Sequence, residues 1–315
     1  MKEQVFISVV TRLKNNAPLL EGFLEELQGI LAPRYTDYEI ILVDDGSTDL
    51  EGPKLEVLLN RYDCVRYLPL SRSFGREISI YAGMQAAIGD YVVILSFETD
   101  PPSLIPEIVT RAAKQGGIVF GVCRNRLDEG ISFKAVKSFF TWFSIRILRI
   151  PLEKDATQFM AFSRQALNAL VEIKDHYRHI RLFTAYIGYN QESFEYQQIP
   201  RGRKVSHRPV WSGVGVGIRI IFASSSVPLR LASWLVMVIS ILYLCYALSA
   251  GNFATAFPMA VMFFSLSLLL VIIAEYLGCL IEGSHDRPLY YLREEKNSSV
   301  IFTAKERRNV TRQIQ

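Results

Sequence analysis

Tyr38-Glu39-Ile40-Ile41-Leu42-Val43 runs without a break into Asp44-Asp45-Gly46-Ser47-Thr48-Asp49. An apolar run of strand length that stops abruptly in acids, glycine and hydroxyls reads as a buried strand followed by a polar turn. Gly46 lets the backbone turn tightly there. A capped turn into a helix needs one Asp or Ser, whereas this one carries two consecutive acids. At a strand's carboxyl end, such side chains can accept hydrogen bonds from a base or ribose, so Asp44 and Asp45 are candidate nucleotide contacts.

Working outward, residues 5–10 form a β-branched apolar run, followed by a polar turn and a helical pattern through Leu19, Phe23, Leu24, Leu27 and Ile30. Residues 65–70 and 91–95 are two more short strands, with a helix over 77–87 between them. Strands alternating with helices predict an α/β fold with a mainly parallel sheet covered on both faces. Ligands bind such sheets at the carboxyl ends of the strands. The polar clusters sit there: Asp44-Asp45, then Ser71-Arg72, then Glu98 and Asp100.

The chain has 315 residues and a formal net charge of +4. Near its end lie two apolar stretches, 231–250 and 257–280, separated only by the uncharged residues 251–256. Each is long enough to cross a hydrocarbon core of roughly 30 Å, and so short a gap forces a hairpin. A buried helical pair in a soluble core is the alternative, disfavoured by the length of the stretches and their lack of Lys or Arg. Arg201, Arg203, Lys204, Arg208, Arg219 and Arg230 precede the pair; Arg287, Arg293, Lys296, Lys305, Arg307 and Arg308 follow it. By the positive-inside rule both termini are cytoplasmic. The expected organisation is a head over 1–226, a transmembrane hairpin over 227–282 and a cytoplasmic tail over 283–315.

Residues 5–10 are too short for a signal-peptide core and read better as a strand. Cys64, Cys123, Cys245 and Cys279 form no Cys-x-x-Cys pair, which fits a reducing compartment without a disulfide framework or zinc site. Basic residues gather at the membrane end instead of forming a patch with interleaved aromatics, which argues against nucleic acid. Two spans without an intramembrane charge pathway argue against a transporter, since Glu275 lies close to its helix end, where snorkelling is cheap. His176 and His179 share a helix face but have no third ligand nearby in sequence. Residues 133–150 form a basic amphipathic helix, with Lys134, Lys137 and Arg149 on one arc and Phe139, Phe140 and Phe143 on the other. That pattern suits a membrane interface, the alternative being packing on the domain's own core.

Four ordered segments resemble family 2 glycosyltransferases of the GT-A (Rossmann-like) fold, and more narrowly the membrane-anchored enzymes that load a sugar onto a polyprenyl or dolichyl phosphate. They are Ile7–Val10 leading to Val43–Asp49; Leu70-Ser71-Arg72-Ser73-Phe74-Gly75-Arg76-Glu77, with Ala82-Gly83 and Gly89-Asp90 following; Gly121-Val122-Cys123-Arg124-Asn125-Arg126-Leu127-Asp128-Glu129; and residues 196–207 with Pro228-Leu229-Arg230, Glu275-Tyr276-Leu277-Gly278 and Arg287-Pro288. The resemblance implies a nucleotide-sugar donor, a polyprenyl phosphate acceptor, a bacterial plasma membrane setting and a role in glycan or lipid-linked sugar assembly. It implies donor contacts from Asp44, Asp45, Arg12, Lys14, Asn16, Arg72 and Arg124. Assembly as a homo-oligomer is left open.

The departures from the family pattern are specific. The family's Asp-x-Asp, which holds Mg²⁺ or Mn²⁺ against the donor diphosphate, is replaced by Ser96-Phe97-Glu98. Glu98 is a competent oxygen ligand and Ser96 a poor one, so a metal would be held weakly. Arg12, Lys14 and Asn16 stand where the first strand usually carries Pro, Tyr and Glu. Gln158 takes the place of an aspartate, and His207 that of a phosphate-gripping lysine, whereas Arg201 and Arg124 keep the expected type. Two readings follow. In one, Glu98, Gln158, Arg201 and His207 form the catalytic set, with fixed cations supplying part of the metal's charge. In the other, the head is an inactive glycosyltransferase-like module that binds nucleotide or a partner.

Overall fold

The computed structural model describes residues 2–50, 53–62, 64–123, 138, 146, 156–173, 180–201, 227–250, 256–284, 288–293 and 296–297. Among these the strands are β1 (Glu3–Leu13), β2 (Tyr35–Asp44), β3 (Val65–Pro69), β4 (Tyr91–Ile94), β5 (Ile118–Val122), β6 (Ala156–Ser163), β7 (Gln191–Glu195) and β8 (Lys296–Asn297). The helices are α1 (Ala17–Arg34), α2 (Pro53–Arg61), α3 (Arg76–Ala86), α4 (Ile105–Gln115), α5 (Arg164–Glu172), α6 (Ile180–Tyr186), α7 (Val227–Ala250) and α8 (Ala256–Ser284).

The strands form one sheet in the order β7-β5-β6-β4-β1-β2-β3-β8. β1 pairs in parallel with β2 and β4, β2 with β3, and β5 with β7. The expected alternation over the first four strands is therefore present as the parallel block β3-β2-β1-β4. Beyond it the pattern changes: β6 runs antiparallel to both β4 and β5, and β8 is antiparallel to β3.

The two-residue period of the strands sorts their side chains onto two buried faces. Ile7, Val9, Ile40, Leu42 and Val93 pack with Leu20, Phe23, Leu24 and Leu27 of α1 and with Ile105 and Ile108 of α4. On the opposite face Val10, Ile41, Val43, Val92 and Ile94 pack with Ile80 and Met84 of α3 and with Ala166 and Leu170 of α5. Buried on both faces, these strands read as continuous apolar runs. Gly116 (φ +64°) ends α4 in the left-handed conformation, and the Ser163 hydroxyl caps α5 by accepting from Ala166 N.

One charged pair is sealed inside this sheet. Glu39 of β2 and Arg66 of β3 are buried, with Arg66 Nη1 2.8 Å from Glu39 Oε2. The other oxygen, Oε1, accepts from Ser8 Oγ (2.5 Å) and Ile88 N (2.8 Å), while Arg66 also donates to Ala86 O. The pair thereby ties β1, β2 and β3 to the turn between α3 and β4.

The chain divides into two compact units, one of 1–129, 151–207 and 288–315, the other of 130–150 and 208–287. Within the second, α8 carries the apolar window Val261–Gly278, of mean hydropathy 2.2, long and apolar enough to cross a membrane. Of the two expected spans, it is the helix that meets this measure among the described residues; the apolar part of α7 is the shorter Ala232–Tyr243. Large apolar side chains on both helices stand exposed, among them Trp234, Leu242, Phe264 and Leu270. The tail expected after residue 283 includes a return to the first unit. Leu70 and Leu292 form an antiparallel bridge, Ser71 N donates to Tyr291 O (2.8 Å), and Arg293 N donates to Pro69 O (2.9 Å). The amphipathic helix read over 133–150 lies outside the described residues except for Ser138 and Arg146, both helical and exposed.

Arg66→Met leaves the Glu39 carboxylate buried without its cation and is expected to cost about 3–5 kcal/mol. Adding Glu39→Gln should recover most of that loss. Chemical denaturation of the detergent-solubilised whole chain measures both, and an unchanged midpoint for the single variant contradicts the assignment.

Candidate active site

The polar turns gather at the carboxyl ends of β1, β2 and β4, beside the start of β6. Asp44, the last residue of β2, closes its own turn: Oδ1 accepts from Ser47 N (2.8 Å) and Oδ2 from the Tyr67 hydroxyl (2.6 Å). Asp45 is buried and serves several loops at once. Its Oδ1 accepts from Phe74 N (2.7 Å) and Gly75 N (3.1 Å). Its Oδ2 accepts from Arg12 Nη2 (2.6 Å), Arg12 Nε (3.1 Å) and Ser73 Oγ (3.1 Å). Lys14 Nζ lies 3.8 Å from the same oxygen and donates to Ser73 Oγ (2.7 Å). Burial pushes the Asp45 carboxyl up, but the Arg12 hydrogen bond and charge, with the Phe74 and Gly75 amides, outweigh it and leave the group below the usual carboxylate range. Gly46 (φ +69°) is required here twice over, because a Cβ would also come within 2.9 Å of Ser73 N.

On the other side of β1, the loop after β4 is held from beneath. Asp100 is buried, its Oδ2 accepting from Ser96 N (2.7 Å) and its Oδ1 from the Tyr196 hydroxyl (2.7 Å). Burial drives its carboxyl up, against the pull of those donors. Arg201 clamps the loop from outside: its N–H donates to Glu98 O (2.9 Å), and its guanidinium donates to Asp100 O (2.7 Å) and Phe97 O (3.3 Å). The same guanidinium pairs with Glu26 and lies 5.3 Å from the centre of the Phe23 ring.

These supports frame a cleft. Of the residues singled out in the sequence, Arg12, Lys14, Asn16, Ser96, Glu98 and Gln158 line it, with Asn16 Nδ2 3.5 Å from Glu98 Oε1. Asp44 and Asp45 do not line it, and Asp45 backs it through Arg12. Arg72 is exposed, its guanidinium over the Phe74 ring at 4.9 Å, and Arg201 is bonded to the β4 loop and Glu26 as described; neither lines the cleft. Arg124 and His207 lie outside the described residues. Arg76, at the start of α3, also lines the cleft, a cation that its sequence motif contains without marking a role for it. A signal was available, because a cation at a helix N-terminus works against the helix dipole and calls for another reason to be there.

The arrangement favours anions. Arg12, Lys14 and Arg76 enter the cleft with Glu98 as its lining carboxylate. A resident divalent ion is poorly served. Asp100 is turned inward to Ser96 and Tyr196, and the described residues contain no group of three His, Cys, Asp or Glu side chains able to hold a metal. Ser96 and Glu98 therefore do not make a closed site of the kind a hard cation needs.

The family model described as Glycosyl transferase family 2 matches residues 8–174. An uncharacterized glycosyltransferase of Synechocystis is 28% identical over 304 residues, covering 91% of this chain and 95% of that protein. A bactoprenol glucosyl transferase of Shigella phage SfV is 23% identical, covering 92% and 99% of the two chains. Among solved structures, glucosyl-3-phosphoglycerate synthase of Mycobacterium tuberculosis, in complex with Mn²⁺ and UDP, aligns over 69% of this chain and 78% of its own. The TM-score is 0.45 and the identity 16%.

Because the Asp45 carboxyl lies below its ordinary value in the fold, its contribution is present above the unfolded value of about 3.9 and is lost as pH falls through the lower folded value. Asp45→Asn is expected to melt below wild type at neutral pH, with the gap closing under about pH 4. Melts that coincide at neutral pH, or a gap that persists at the most acid pH tolerated, contradict this.

Proposed function

The chain belongs to glycosyl transferase family 2, and on that premise we propose that it transfers a sugar from a nucleotide-sugar donor to a polyprenyl phosphate at the cytoplasmic face of a membrane. The observation that carries this reading is the cation-lined cleft at the carboxyl edge of the sheet, with Arg12 and Lys14 anchored through Asp45 and Ser73. The Shigella phage relative, named for bactoprenol, supports the class of acceptor.

The chemistry needs little from the protein beyond charge and position. An acceptor phosphate is largely ionised at neutral pH, its second pKa lying near 6. One of its oxygens attacks the anomeric carbon, the bond from that carbon to the donor's diphosphate breaks, and the nucleoside diphosphate leaves with the electron pair. No general base is required, which fits an amide at Gln158. Arg12 and Lys14 are in place to neutralise charge as it develops on the leaving group, a contribution of several kcal/mol in comparable sites. No step is assigned to a metal, because Ser96 and Glu98 do not compose a site for one. Arg201 acts by holding the Glu98 loop, and a phosphate contact from His207 or Arg124 belongs to the same proposal.

The membrane part of the proposal is a hairpin of α7 and α8 with both termini cytoplasmic. The return of residues 288–297 to β3 supports it. The chain leaves the first unit, passes through α7 and α8, and re-enters the same unit, so a crossing by α8 requires a second crossing. The exposed apolar side chains of both helices agree with lipid contact.

A second reading, an inactive nucleotide-binding module, draws on one observation: Asp45 is fully engaged inside the protein. Membranes carrying the protein, undecaprenyl phosphate and a panel of radiolabelled nucleotide sugars separate the two. Labelled lipid with one donor, reduced at least tenfold by Lys14→Gln (about 1.4 kcal/mol), is the expected result, and no labelled lipid with any donor rejects transfer. For topology, a cysteine placed at Asn252 should react with an impermeant maleimide in intact cells while one at Lys305 should not. The reverse labelling rejects the hairpin.

A further inference from the structure

Along the carboxyl edge of the sheet, β1 and β6 lie on opposite sides of β4. The cleft accordingly has two cationic ends. Arg12 and Lys14 enter from the end of β1, anchored to Asp45 and Ser73. Arg76 enters from the start of α3 and meets Gln158 of β6, with Arg76 Nη1 3.5 Å from Gln158 Oε1. Two strand spacings separate β1 from β6, on the order of 10 Å, and Ser96 and Glu98 lie between. We infer that the β6 end is a second anion seat, in which Arg76, oriented by Gln158 and Glu77, receives the phosphate monoester of the acceptor, apart from the seat that Arg12 and Lys14 make for the donor's diphosphate. The inference rests on the transfer reading above and adds a residue and a ligand group to it.

The side chains around Arg76 explain why Gln stands at 158. Gln158 Nε2 donates to Glu77 Oε1 (2.5 Å), and Glu77 Oε2 accepts from Ile180 N (3.2 Å). A carboxylate at 158 would face the Glu77 carboxylate at hydrogen-bond distance and repel it. An amide does the opposite: its N–H satisfies Glu77, which leaves its carbonyl oxygen turned toward the guanidinium. Glu77 does not line the cleft; its oxygens are directed at Gln158 and at the amide that opens α6. The Glu77 carboxylate is thus spent on positioning, while Arg76, whose charge also reaches the buried Asp100, brings a guanidinium from the head of α3 to that corner of the cleft. The placement also suits in-line displacement, since the attacking and departing phosphate oxygens must lie on opposite sides of the anomeric carbon.

Citronellyl phosphate, a short soluble polyprenyl phosphate, is the probe, titrated calorimetrically into the whole chain in detergent. Arg76→Gln should weaken its binding at least tenfold, the loss of one charge-assisted contact. Arg76→Lys should recover part of that loss, and Lys14→Gln should weaken the probe by less than Arg76→Gln does. Wild-type binding should tighten as pH rises through about 6, where the monoester becomes a dianion, and Arg76→Gln should flatten that rise. In the transfer assay the same variant should raise the KM for undecaprenyl phosphate and leave the donor KM unchanged. A probe that does not bind wild type, or binds Arg76→Gln equally well, overturns the second seat even where labelled lipid forms. Arg76-dependent binding without labelled lipid sustains the seat and rejects transfer. Should Arg76→Gln fail to fold, the lysine variant decides: probe affinity and pH dependence indistinguishable from wild type would overturn the seat.

Discussion

A buried carboxylate has to be neutralised, and Asp45 meets that requirement by gathering the loops of three strands around itself. The Arg12 guanidinium from β1, the Phe74 and Gly75 amides and the Ser73 hydroxyl from the segment after β3 all converge on it, and it sits at the end of β2. Each of these contacts is also a wall or a support of the cleft. Arg12 is fixed at the edge where an anion would dock, Lys14 is brought alongside, and the turn into α3 is set so that Arg76 reaches the opposite end. Asp100 repeats the solution across β4: a buried acid satisfied by Ser96 N and Tyr196 shapes the loop that presents Glu98. Two buried acids thus do structural work so that the surface they shape can be cationic.

The chain's return from α8 extends the same framework. The segment that bonds to Pro69 and Ser71 pairs with the strand that leads into the Ser73–Gly75 turn, so residues 291–293 and the support of Asp45 share one stretch of backbone. Tyr290 adds a side-chain tie, its hydroxyl donating to Gln85 Oε1 on α3 (2.8 Å).

Much of this was legible in the sequence where the pattern is local. The four parallel strands and helices α1 and α3 follow from apolar runs and periodicity that tertiary context did not override. β6 was not legible: Ala156-Thr157-Gln158-Phe159 is no stronger a strand than many loops, and its place between β4 and β5 depends on partners far away in the chain. β8 is two residues long and exists only because β3 offers an edge. Site residues divided the same way. Those attached to strand ends, Arg12, Lys14, Ser96 and Glu98, reached the cleft as their positions implied. Arg201, which the family resemblance implies as a catalytic cation, also satisfies backbone carbonyls and a carboxylate, those of Phe97, Asp100 and Glu26. Arg76 needed the geometry of α3 and β6 together before its reach to Gln158 could be known.

The central claim is that fixed cations carry the charge of the departing diphosphate in a cleft without a closed metal site. Rates of transfer to undecaprenyl phosphate, measured from excess chelator to millimolar Mg²⁺ or Mn²⁺ with the donor that labels lipid, test it most directly. The account predicts that chelation lowers the rate by less than about tenfold, a change of under about 1.4 kcal/mol in the barrier. A rate that falls to background in chelator and returns steeply with added ion would contradict it.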